Sequence, residues 1–148
     1  MNLEFKGLET HHSLKHAFSK ESGISNRYLY FAKIAEIEGS PEVAQVFRDL
    51  AESSVCNAHG TLDFLKRAGD PDTNLAIGET DRNLISAISS ETEEYSEIYP
   101  MMGEIARREG FLDIANWLET LTKLKKVHVE KLKNALSHFN DTPGKRTE

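Results

Sequence analysis

Gly110-Phe111-Leu112-Asp113-Ile114-Ala115-Asn116-Trp117-Leu118 restarts a helix after a glycine break, and Gly39-Ser40-Pro41-Glu42-Val43-Ala44-Gln45-Val46-Phe47 does the same earlier in the chain. With the two glycines aligned, Val43 matches Ile114, Ala44 matches Ala115, Phe47 matches Leu118, Leu50 matches Leu121 and Leu65 matches Leu136, all at identical offsets. The same register sets Ser54 against Lys125 and Asn57 against His128. Upstream, Glu21 precedes Gly39 by 18 residues and Glu91 precedes Gly110 by 19. The chain therefore reads as two copies of a helix pair, the later copy carrying one extra residue in its first helix. Pro100 lies inside that helix, so the extra residue predicts a π-bulge nearby, a feature frequent at functional sites.

Periodicity and breaks predict helices at about 9–38, 41–68, 80–109 and 111–138. Apolar residues at spacings of three and four mark one face of each: Leu14, Phe18, Tyr28, Ala32 and Ala35; Val43, Phe47, Leu50 and Phe64; Leu84, Ile88, Tyr95, Ile98 and Met102; Ile114, Leu118, Leu121, Leu132 and Ala135. The expected fold is all-α, a four-helix bundle of two repeated helix pairs spanning residues 1–139. The polar run 140–148 is expected to be a disordered tail. Polar side chains interrupt every stripe at mid-helix: Glu21 in the first, Ser54, Asn57 and Thr61 in the second, Glu91 and Glu94 in the third, Lys125 and His128 in the fourth. Facing helices would bring these into one layer. A Glu on one helix and a Glu-x-x-His pair on the next, given twice, is the plan of carboxylate-bridged two-metal bundles, because residues three apart share a helix face.

Composition narrows the function classes. The 148 residues carry a formal net charge of −6, which argues against a nucleic-acid partner. No apolar run approaches the roughly 20 residues of a membrane span, and the first residues lack a signal-peptide apolar core. Cys56 is the single cysteine, which excludes internal disulfides and four-cysteine metal sites. A reducing cytoplasm is the expected compartment.

Motifs along the whole chain resemble the ferritin-like domain of rubrerythrins. They are Ala17-Phe18-Ser19-Lys20-Glu21-Ser22 with Asn26-Arg27-Tyr28, Leu62-Asp63-Phe64-Leu65 with Gly69-Asp70-Pro71, Glu91-Thr92-Glu93-Glu94-Tyr95 through Pro100, Arg108-Glu109-Gly110-Phe111 and Trp117-Leu118-Glu119-Thr120-Leu121. The resemblance covers roughly residues 8 to 137. It implies a non-haem di-iron centre that reduces hydrogen peroxide in oxidative-stress defence, and homodimers that exchange helix pairs. It also implies metal-ligand roles for Glu21, Glu91, Glu94 and His128. Three ligand positions depart from the family pattern. The Glu-x-x-His of the second helix reads Ser54-Val55-Cys56-Asn57, and that of the fourth reads Lys125-Lys126-Val127-His128. The rubredoxin-like module with paired cysteines is absent from this sequence.

Nearby residues offer poor substitutes. Glu52 and Glu119 lie about 160° and 120° around their helices from Ser54 and Lys125, and His59 about 160° from Asn57. A Cys56 thiolate suits iron poorly among hard carboxylates. Two readings follow. In the first, the site is degenerate: Lys125 forms a core ion-pair network with Glu21, Glu91 or Glu94, Asn57 and Ser54 hydrogen-bond to it, and no metal or at most one Fe or Mn ion is held. Such a protein would act as a binding module, with a protein partner or a ligand-complete homologue. In the second, Glu21, Glu91, Glu94 and His128 support a non-haem iron oxidoreductase, with two irons only in that case. Catalytic residues remain unassigned under both. Plainer roles stand beside these: a Lys125 that extends to solvent, a structural His128, incidental surface histidines at 11, 12 and 16, core-packing Tyr28, Tyr95 and Tyr99, and a solvated face for Glu93 and Glu97.

Overall fold

A computed structural model describes residues 4–142. Its elements are α1 (Glu9–Ile37), α2 (Pro41–Leu65), α3 (Thr80–Glu93), a π-helical turn (Glu94–Ile98), α4 (Tyr99–Arg108) and α5 (Leu112–Asp141). The chain divides into two compact units, Met1–Pro71 and Asp72–Glu148, which coincide with the two halves of the repeat.

The repeat extends to the hydrogen bonds of the turns. In the first unit the Ser40 amide donates to the Ala35 carbonyl at 2.8 Å and the Gly39 amide to Glu36 at 3.0 Å. In the second, Phe111 donates to Ala106 at 2.8 Å and Gly110 to Arg107 at 3.1 Å. Both are Schellman closures, with glycine at φ +80° and +89°, where a side chain would be strained. Pro41 then opens α2, where its missing amide hydrogen has no helical partner to lose.

The seam inside each pair is built from small residues. Ala32, Ala35, Ala44, Ala51 and Ala58 are buried between α1 and α2, and Ala106, Ala115 and Val129 serve α4 and α5. Small side chains let helix axes approach closely. Beside the alanines, Tyr28, Phe31 and Phe47 form an aromatic cluster with centroids 5.5–6.1 Å apart. The expectation that Val43, Leu50, Phe64, Met102 and Ile114 would fill the core is corrected here: all five are exposed. A pattern reading assigns the largest apolar residues to the interior, whereas close pairing of two helices selects alanine.

The third predicted helix is present with its bulge. The π-turn Glu94–Ile98 ends immediately before Tyr99-Pro100. The wide turn absorbs the extra residue, and Pro100 stands at the start of α4, where a proline is tolerated. Helix ends differ modestly from expectation. The second helix ends at Leu65 rather than 68, and α5 runs on to Asp141, so Asn140 and Asp141 of the expected tail are helical. The rest of that tail, from 143, lies outside the described residues.

Candidate metal site

Each unit carries its own share of the polar positions. In the second unit, Glu91 on α3 and Glu94 at the opening of the π-turn face Lys125 on α5. The ammonium lies 2.9 Å from Glu94 Oε2 and 3.1 Å from Glu91 Oε1. All three side chains are about a fifth exposed, at 23%, 21% and 24% for Lys125, Glu91 and Glu94. Lys125 therefore does not extend to solvent. The carboxylates reach it from successive turns, because residues three apart share a face.

Alignment distinguishes the two contacts. The Glu91 contact is directed as a hydrogen bond, whereas the Glu94 contact is close but off-line, an ion pair held by charge. His128 Nδ1 sits 3.2 Å from Glu91 Oε2, again off-line, with its side chain about half exposed. Glu91 Oε2 and Glu94 Oε2 are consequently buried without an aligned donor. Burial pulls the Lys125 pKa down, but the contacts and negative charges of Glu94 and Glu91 outweigh it, and the net direction is up. Lys125 is a cation at neutral pH.

In the first unit, Asn57 Nδ2 donates to Glu21 Oε2 at 3.5 Å, the long limit of a hydrogen bond. Ser54 is buried on α2 and Asn57 is exposed. Of the considered substitutes, Glu52, Cys56 and His59 are exposed, while Glu119 pairs with Arg107 at 3.8 Å. Glu93 and Glu97 are exposed, as a solvated face requires, and Tyr95 and Tyr99 are half-buried.

The Rubrerythrin family model matches residues 12–136. The chain belongs to the rubrerythrin family. It is 34% identical over 146 residues to a rubrerythrin of Porphyromonas gingivalis, covering 95% of this chain and 72% of that one. It is 32% identical to rubrerythrin-1 of Clostridium acetobutylicum, covering 88% and 71%. A solved structure of nigerythrin in a mixed-valence state is 22% identical, with a TM-score of 0.43 and coverage of 95% and 73%. The all-α, ferritin-like fold expected from the two repeated helix pairs is that of the rubrerythrin family.

A two-iron centre draws a Glu-x-x-His pair from each of two helices. Ser54 and Asn57 bring neutral side chains and Lys125 a cation to the positions where the sequence reading expected such pairs, and that cation lies against Glu91 and Glu94. Among the described residues no three His, Cys, Asp or Glu side chains form a group able to hold a metal ion. Among the same residues no helix is long and apolar enough to cross a membrane.

Two features escaped the sequence reading. The pairing of His128 with Glu91 was not foreseen, although the i, i+3 spacing from Lys125 places both on one face. His11, expected to be an incidental surface histidine, is buried and accepts a backbone hydrogen bond from Gly7 at 3.0 Å. A glycine four residues before a histidine was the available signal.

Proposed function

We propose that this rubrerythrin-family protein has a degenerate di-iron site and performs no two-iron peroxide reduction. The observation that carries this reading is the Lys125 ammonium within 3.1 Å of both Glu91 and Glu94. A fixed ammonium supplies the positive charge that a metal ion would otherwise supply to these carboxylates, so metal entry requires displacing it from a partly buried ion pair. The protein then serves as a binding module in the cytoplasm, as a homodimer with exchanged helix pairs, or beside a ligand-complete homologue. Apolar side chains left exposed in each helix pair, such as Leu50, Phe64, Trp117 and Leu124, support an assembled state.

The test is metal content per chain by elemental mass spectrometry after expression with iron and manganese, together with peroxide turnover. No metal, or one ion without turnover, agrees with the reading; about two irons per chain with turnover would defeat it. A second reading rests on the meeting of Glu91 Oε2 and His128 Nδ1, 3.2 Å apart, beside Glu94. With Lys125 displaced from Glu94 Oε2, Glu91, Glu94 and His128 would hold a single Fe or Mn ion in a non-haem iron oxidoreductase. One ion per chain, lost on His128→Ala, favours it.

A further inference from the structure

The segment before α1 is tied down through one imidazole. His11 is 7% exposed, and its Nδ1 accepts the Gly7 hydrogen bond. Gly7 has φ +82°, which lets its amide turn toward a side chain four residues ahead. Phe5 meets the His11 ring edge to face, with centroids 5.9 Å apart, and the Arg67 guanidinium lies 5.0 Å from the Phe5 centroid. The Leu8 amide donates to the Phe5 carbonyl at 3.0 Å, closing a turn before the helix begins. The arm of residues 4–8 is thus held by His11 on α1 and by Arg67 just beyond α2.

An imidazole that accepts at Nδ1 is neutral and carries its proton on Nε2. A second proton would set N–H against N–H and remove the bond to Gly7. The charged and titratable groups around the ring are unfavourable to that proton as well: Lys6 on the arm, Lys15 and His12 on α1, the latter stacked at 6.0 Å, and Arg67 across Phe5. We propose that His11 is a pH-sensitive latch: neutral, it holds residues 4–8 against α1 and Arg67, and protonated, it releases them. Burial, then the charges of Lys15, His12 and Lys6, place the docked His11 pKa below its usual 6.5. The released arm takes up the proton more readily than the docked one. Docking is therefore full above about pH 6.5 and weakens as the pH falls toward the depressed value.

Nitrogen-resolved spectra of the full chain from about pH 7.5 to about pH 5 test the latch. The expected result is an unprotonated His11 Nδ1 at the upper end and a Gly7 amide shift that follows the His11 midpoint. Gly7 exchange protection, corrected for intrinsic rate, should fall about fivefold to tenfold, the size of one net hydrogen bond. A Gly7 amide unmoved through the His11 titration would overturn the proposal, as would an Nδ1 protonated at neutral pH. His11→Asn places a non-titrating carbonyl oxygen near the Nδ1 position and should keep Gly7 protected throughout. Loss of protection in that variant matching the native chain would also count against the latch, while the spectra of the native chain need no variant.

Discussion

At matching offsets from their glycines, the two helix pairs carry different chemistry. In the second pair, Lys125 and His128 gather around Glu91 and Glu94 with contacts of 2.9–3.2 Å. In the first, Ser54 and Asn57 occupy the same register, and one 3.5 Å hydrogen bond joins Asn57 to Glu21. The Schellman closures are alike in both, while the second pair adds the π-turn at Glu94–Ile98. The difference lies in how much negative charge each pair gathers. Two partly buried carboxylates a turn apart need a cation, whereas a single carboxylate with an exposed amide partner does not. The half that gathers more partly buried carboxylates is the half that holds a lysine against them.

The sharpest way to break this comparison is to restore symmetry. The triple change Ser54→Glu, Asn57→His and Lys125→Glu should raise iron content to about two ions per chain, measured by elemental analysis. A folded triple variant that takes up no iron would show that the register is misassigned. Next in size, Lys125→Ala strands Glu91 and Glu94 in the metal-free protein. Breaking a buried pair costs about 3–5 kcal/mol, and the residual exposure of these groups reduces that to about 2–3 kcal/mol. The melting temperature should drop by roughly 5–10 °C in a chain of this size. An unmoved melting temperature would mean that the ion pairs contribute nothing.

The pH dependence of that difference sharpens the point. Lys125 has a folded pKa raised above 10.5, so its stabilisation is fully present below that value and is lost as pH rises through the higher folded one. In denaturant titrations, the stability gap between the native chain and Lys125→Met should stay flat from neutral pH to about 10 and close only above it. A gap that closes near neutrality would assign the effect to another group. The smallest expected effect belongs to the first pair. Asn57→Ala removes a long, exposed hydrogen bond and should change unfolding free energy by no more than about 0.5 kcal/mol. A loss comparable to that of Lys125→Ala would erase the contrast between the pairs.

Much of this was legible from residue order. Glycines 39 and 110 announced the turns, and the unequal offsets of Glu21 and Glu91 announced a bulge that the structure places at Glu94–Ile98. Lys125 could be recognised as a cation standing where a carboxylate was expected. Its partners could not be chosen among Glu21, Glu91 and Glu94 from spacing alone, since that choice depends on rotamers and reach. The alanine seam was missed for a different reason. Large apolar residues dominate a periodicity count, but helix-to-helix distance is set by the smallest side chains between them. His11 was missed because its partner is a backbone amide, which leaves no mark in a side-chain pattern.

The π-turn at Glu94–Ile98 also makes this half of the molecule unusually sensitive to length. It works as a phase corrector: one wide turn rotates everything after it back into step with α5. Ala106 is then buried, and a methyl group added at Gly103 would sit only 3.8 Å from the Ala115 carbonyl and the Leu118 Cβ. Deleting a single residue among 94–98 would leave an unbroken and locally better helix. Its damage would surface two turns downstream, where roughly 100° of rotation would swing Gly103 and Ala106 off their neighbour. For this stretch, the count of residues is as strict a requirement as their identity.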